Sequence, residues 1–205
     1  MKYQIFFLFF LLSCSTVSET NNYSLNIDYK NSNNEEITIE KVNSDYSIEL
    51  IKSDILNNDN YKIDLLVNEP TLYRLNIVGK NSIDFVLEKN DIYIKINGND
   101  ISVNGSVGTD NLTLIKKYIN NYQDERYELN RSFIQASRDN NKLEILKIRN
   151  QSEQLEKNFI KNFKELIWNM DNSIATFFVA DYLKIDDHFN FWDSLLLKYE
   201  DDFGY

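Results

Sequence analysis

From Tyr23 to about Asn104, apolar and polar positions alternate. Leu25, Ile27 and Tyr29 alternate with Ser24, Asn26 and Asp28, and Ile37 and Ile39 with Thr38 and Glu40. The pattern returns at Tyr61, Ile63 and Leu65, over Leu72–Ile77, at Ile83, Phe85 and Leu87, at Ile92, Ile94 and Ile96, and at Ile101 and Val103. A period of two built from β-branched and aromatic residues predicts strands with one buried face. Turn residues separate the runs: Asn31-Ser32-Asn33-Asn34, Asn57-Asn58-Asp59-Asn60, Gly79-Lys80-Asn81, Lys89-Asn90-Asp91 and Asn97-Gly98-Asn99. Pro70 falls between two runs, where a missing N–H does least harm. About seven or eight short strands at this spacing predict an antiparallel β-sandwich or partly open barrel over residues 23–107.

Beyond residue 107 the period lengthens. Leu112, Ile115, Ile119, Tyr122, Leu129, Phe133 and Ala136 step by threes and fours, with Arg126 in the remaining slot. This heptad-like stripe predicts a helix of about 25 residues. A second stripe, Ile145, Ile148, Leu155, Phe159, Phe163, Leu166 and Ile167, follows the loop Ser137–Asn141. Two long helices and a short loop predict an antiparallel helical hairpin. Two shorter helices are expected after it. Asp171-Asn172-Ser173 caps one over Ile174–Leu183, and Asp186-Asp187 opens the other, over His188–Tyr199. The fold class is α+β, with a helical region over 108–205. The first stripe packs within the chain, against the second helix or the sheet. Its alternative use is a homodimer through the hairpin, with Arg126 tuning partner choice.

Composition narrows the chemistry. The chain has 205 residues, one cysteine, one histidine, one proline, five glycines and a formal charge of -10. One cysteine closes no internal disulfide and makes no Cys-x-x-Cys pair. The negative charge argues against nucleic acid as a partner. At 42% hydrophobic and 14% aromatic residues, the chain has the means to build a core.

The N-terminus reads as a targeting segment, 1–13. Lys2 is a short positive region, and Ile5–Leu12 is an unbroken apolar run of eight. About 20 apolar residues are needed to span a bilayer, so the run fits a secretory signal. Leu11-Leu12-Ser13-Cys14 resembles the bacterial lipobox, in which the cysteine receives a diacylglycerol on its sulfur. Acylation of the new amino group adds a further chain, and several acyl chains hold a protein stably where one is marginal. Cys14 is therefore the expected lipid attachment site. The other reading is an ordinary signal peptide with Cys14 incidental. Residues 14–22 are small and polar, as in a tether between lipid and domain.

No catalytic or cofactor constellation emerges. His188, beside Asp186 and Asp187, reads as a surface residue. Glu200, Asp201 and Asp202 lack the spaced carbonyl and glycine pattern of a calcium loop. Glu35 and Glu36 are neighbours whose side chains point to opposite faces of a strand, so they do not converge for acid–base work. Trp168 and Trp192 sit at helical apolar positions and read as core or packing residues. Neither a P-loop, a G-x-S-x-G elbow nor a dinucleotide fingerprint is present.

One resemblance adds to this. Asn68-Glu69-Pro70-Thr71-Leu72-Tyr73-Arg74-Leu75, Phe85-Val86-Leu87-Glu88-Lys89-Asn90-Asp91, Ile101–Ser106 and Asn111-Leu112 resemble the β-rich N-terminal domain of Gram-negative thioredoxin-like thiol-disulfide oxidoreductase lipoproteins. Phe159–Met170, Ser173-Ile174-Ala175 and Tyr182-Leu183 are similar to the helical segment those proteins carry next. The resemblance implies an envelope lipoprotein facing the periplasm or cell surface. It also implies a following thioredoxin-fold domain with two redox cysteines, which have no counterparts up to Tyr205. Thiol–disulfide exchange needs an attacking thiolate and usually a resolving thiol, so this chain is expected to be non-catalytic. It is either the N-terminal part of a longer oxidoreductase or a free-standing module. A self-contained lipoprotein that binds a peptide or glycan on its sheet face is the alternative.

Overall fold

The computed structural model describes the backbone of residues 21–203 apart from positions 31, 33, 44, 46, 68, 81, 171–173 and 177–181. Eight strands come first: β1 (Asn21–Tyr29), β2 (Glu35–Val42), β3 (Ile48–Leu56), β4 (Asn60–Val67), β5 (Thr71–Ile77), β6 (Ile83–Leu87), β7 (Ile92–Asn97) and β8 (Asp100–Asn104). Three helices follow: α1 (Val107–Arg138), α2 (Lys142–Trp168) and α3 (Phe189–Phe203). The fold is α+β, as the two periodicities predict. The strands form two four-stranded sheets that do not close into a barrel, ordered β4-β1-β7-β8 (sheet A) and β3-β2-β5-β6 (sheet B).

The alternating apolar residues meet between the sheets. Leu25 and Ile27 on β1, Ile63 on β4 and Ile92, Ile94 and Ile96 on β7 face Ile37, Ile39, Leu75, Phe85 and Leu87 of sheet B, all at most 2% exposed. One pairing departs from the antiparallel expectation: β1 and β7 run parallel, with Leu25 opposite Ile92 and Ile27 opposite Ile94. Alternation assigns a face to each side chain and says nothing of strand direction, so this pair was not legible in it. The eighth strand, β3, has no counterpart among the seven alternating runs. Among the described residues it pairs only with β2, its register slips opposite Ile39 and Glu40, and eight of its nine side chains stay at least partly exposed. An edge strand with a bulge carries no single buried stripe.

Sheet B is also covered on its outer surface. Val42, Leu72 and Val86 lie side by side across β2, β5 and β6 and point away from the sandwich core. Leu112 of α1 and Ala175 bury them. The junction is stitched by hydroxyls: Ser106 Oγ and Thr109 Oγ1 donate to the Val86 carbonyl at 2.6 and 3.1 Å, and Val86 N–H donates to Thr109 Oγ1 at 3.0 Å. Ser106 also caps α1, accepting from the Thr109 amide at 3.0 Å. The backbone groups of edge strand β6 at Val86 are thereby satisfied by the start of the helix.

The hairpin is longer than its sequence stripe. Helix α1 has 32 residues and runs to Arg138, leaving only Asp139–Asn141 as the turn, with Asn140 at φ 51°. Asn141 Oδ1 caps α2 by accepting from the Glu144 amide at 3.1 Å. Near the sandwich the hairpin is closed by α3. Ile115, Ile119, Phe159, Phe163 and Ile167 pack with Trp192, Leu195 and Tyr199. Tyr118, Phe159 and Phe163 stack at centroid distances of 5.1–5.7 Å. This half of the first stripe does pack within the chain, on α2. The predicted helix Ile174–Leu183 and its cap fall largely on residues outside those described, and Ile174–Thr176 form one 3-10 turn. Helix α3 begins at Phe189 with no acidic residue in its first turn. Asp186 and Asp187 belong to the preceding turn, and the His188 carbonyl accepts the amides of Phe191 and Trp192.

Candidate functional site

Cys14, the expected lipid attachment site, and the expected targeting segment 1–13 lie outside the described residues. Strand β1 takes up Asn21 and Asn22, the last two positions of the predicted tether. Among the described helices none is long and apolar enough to cross a membrane. No group of three or more His, Cys, Asp and Glu that would hold a metal is found among the described residues.

The titratable residues singled out in the sequence stay apart. His188 is half-buried at the start of α3, and its pKa is lowered by burial and by Lys164, against the pull of Asp187. Glu35 faces inward, where Tyr29 Oη donates to it at 3.2 Å, whereas Glu36 is exposed on the outer face. Glu200 is exposed at the far end of α3. The side chains of Asp201 and Asp202 are outside those described. Trp192 is buried, with Nε1 donating to the Leu183 carbonyl at 2.8 Å. Trp168 is 41% exposed rather than a core residue. As the last residue of α2 it projects past the apolar cluster and lies under Lys198, whose ammonium sits 5.3 Å from its ring.

Two surface features carry chemistry. The first is the outer face of sheet A, where register assembles polar residues from four strands. Lys62, Asn26, Tyr93 and Asn104 form one cross-strand row, and Asn60, Asp28, Lys95 and Ser102 the next. They line a cleft of about 480 Å³. Tyr93 is 55% exposed and stands in the middle of the row. Sequence reasoning did not assemble these residues. Each is the polar partner in an alternating run, but only strand order makes them neighbours.

The second is the distal half of the hairpin, beyond the reach of α3. Arg126 occupies a stripe position there and lies over the Tyr122 ring at 5.6 Å. Arg149 lies over the Phe133 ring at 5.8 Å. An open groove of about 720 Å³ runs between the helices, lined by Tyr122, Arg126, Phe133, Ile148, Arg149 and Glu156. With a cation in a stripe slot this part of the seam is less filled: Ala136 and Ile148 are buried, but Tyr122, Leu129 and Phe133 are only partly so. Leu143 and Leu146, close to the hairpin turn, are 82% and 57% exposed.

A partly buried ion cluster joins sandwich and hairpin. Asp84 on β6 accepts from Arg74 Nε at 2.7 Å and from Lys116 Nζ of α1 at 2.9 Å. Burial pushes its pKa up, but the bonds from Arg74 and Lys116 outweigh burial and hold it below the usual value. Glu88 lies at the N-terminus of α1, where burial raises its pKa against the amides of Gly108 and Val107. Hydroxyls, ions and packing together hold the helical arm on the sandwich. No family model matches the chain, and no curated protein or solved structure matches it either.

Proposed function

We propose that this chain is a lipid-anchored module of the cell envelope, non-catalytic in itself, that acts as the N-terminal scaffold of a thioredoxin-like thiol-disulfide oxidoreductase. The observation that carries the reading is the placement of the single cysteine directly after Leu11-Leu12-Ser13 at the end of an apolar run. The resemblance of the β and helical segments supports it. So does the arm fastened to sheet B through Ser106, Thr109 and Asp84, since a scaffold must hold what it presents at a set orientation. On this reading the open distal groove of the hairpin is the surface offered to the partner domain.

Cys14→Ser is expected to abolish incorporation of labelled lipid and to release the chain from the membrane fraction. Unchanged retention would sink the anchoring. The reading frame beyond codon 205 tests the scaffold role directly, because the proposal requires a thioredoxin-like domain with two spaced cysteines there.

The cleft on sheet A favours a second reading, a lipoprotein that binds a glycan or peptide on this face. Amides, a hydroxyl and paired charges around an exposed tyrosine ring suit a ligand with hydroxyl groups and a small apolar face. Tyr93→Ala is expected to lower affinity for such a ligand about tenfold. Because Tyr93 is exposed, stability should stay within about 0.5 kcal/mol of wild type. Screening glycan and peptide arrays with both proteins checks this. A wild-type chain that retains nothing would remove the reading.

A further inference from the structure

The open edge of sheet B is its least protected surface. Of the four edge strands β3 is the longest, at nine residues, against eight for β4 and five each for β6 and β8. Four of its five apolar side chains are uncovered: Ile48 is 54% exposed, Leu50 60%, Ile51 40% and Ile55 51%, while Leu56 is buried in the core. Strand β6, at the opposite edge, has the helix start bonded to Val86, and among the described residues β3 has no such cover. Long apolar edges invite another strand unless charge, proline or distortion blocks them. The bulge opposite Ile39 and Glu40 falls at Ile51, which has no partner on β2, and leaves Lys52–Leu56 in regular register.

The unpaired backbone groups can be located. The Glu36 carbonyl accepts from Val78 N–H at 3.1 Å, on the β5 side of β2. A strand residue turns its N–H and C=O the same way, so Glu36 faces away from its β3 neighbour Ile55. Ile55 therefore directs its own groups to the open edge, and so does Ser53, two residues earlier. The Ile55 N–H is met locally by Asp54 Oδ1 at 2.9 Å.

We infer that two copies of this chain pair through β3, antiparallel about a two-fold axis at Ser53. The sequence there, Ile51-Lys52-Ser53-Asp54-Ile55, is complementary to itself when reversed. With Ser53 opposite Ser53, the outward amide and carbonyl of each copy exchange hydrogen bonds. Lys52 then stands opposite Asp54 twice, in the closer, non-hydrogen-bonded type of pair, and Ile51 stands opposite Ile55 twice. Moving the centre by one residue sets Lys52 against Lys52, or Asp54 against Asp54, so charge selects the register. A two-fold interface of this kind is closed, and it joins the two copies of sheet B into one eight-stranded sheet. Self-association is thus assigned to the sheet edge, a different surface from the hairpin stripe.

The test is sedimentation equilibrium of the full chain in density-matched detergent, with amide exchange at Ser53 followed in parallel. Wild type should be a dimer with a protected Ser53 amide. Lys52→Glu should raise the dissociation constant about tenfold or more and expose that amide, with the circular dichroism spectrum unchanged. The swap Lys52→Asp with Asp54→Lys should restore the dimer. Ser53→Pro removes the central donor without touching the β2 ladder and should give a monomer. A wild-type monomer at every concentration, or a dimer that Lys52→Glu and Ser53→Pro leave intact, would overturn the proposal. So would a Ser53 amide that stays protected in a monomer, since another strand would then hold the edge.

Discussion

Phe163→Ala is expected to destabilise the helical region by about 3–5 kcal/mol, the usual cost of removing a buried aromatic side chain. Phe163 is 0% exposed and sits where α1, α2 and α3 meet. Its ring stacks on Phe159 at 5.1 Å and on Tyr118 at 5.7 Å, so truncation removes two aromatic contacts and leaves a cavity among residues already fixed by their own neighbours. The damage should be regional. The apolar cluster between the sheets contains no helical residue, and it communicates with the helical cluster through the small group of Val42, Leu72, Val86, Leu112 and Ala175. The variant should therefore unfold in two steps, with helical amides exchanging at a denaturant concentration where sheet amides remain protected. Urea unfolding monitored by circular dichroism, combined with residue-level hydrogen exchange, reads both effects. A loss below about 1 kcal/mol would show that Phe163 does not anchor the cluster.

Gly105→Ala should cost about 3–4 kcal/mol, through strain and collision together. Gly105 lies between β8 and the cap of α1 and has φ 130°, a conformation that residues with a Cβ rarely adopt. An added Cβ would collide with the Asp91 carbonyl oxygen, a backbone atom that has no rotamer to escape into. Asp91 in turn accepts the Ser24 amide at 2.8 Å, so displacing it would disturb the place where β7 lies beside β1. Gly98 supplies the control. It has φ 62° in the β7–β8 turn, but nothing lies within 4 Å of a Cβ there, so Gly98→Ala should cost about 1 kcal/mol. Equal losses for the two variants, measured by denaturant midpoint, would show that the close approach to Asp91 is not what requires glycine.

Much of the architecture was legible because burial in a single layer leaves a period. The strands with one face on the core, such as β4 and β7, show it cleanly, as do the stripes of α1 and α2. Where a residue's surroundings come from elsewhere in the chain, the period is silent. Leu72 and Val86 break the alternation by being buried on the outer face, because a helix start more than twenty residues further on covers them. Strand β3 has no pattern because none of the described residues lies over its edge. Trp168 is apolar and at helical spacing, yet its place at the last residue of α2 leaves it exposed.

The candidate surfaces divide in the same way. The lipid attachment expected at Cys14 is a local motif and is stated by residue order alone. The polar rows around Tyr93 depend on β1 pairing parallel to β7, a contact between residues about 67 positions apart that no local spacing encodes. The self-complementary run Ile51–Ile55 lies in the sequence, but it acquires meaning only once β3 is known to be an open edge. Sequence by itself determined the two halves, their periods and the single cysteine, because these follow from side-chain order along one segment. Strand order, the parallel pair and the covered outer face of sheet B were decided by tertiary structure, because each depends on which distant segments exclude water together.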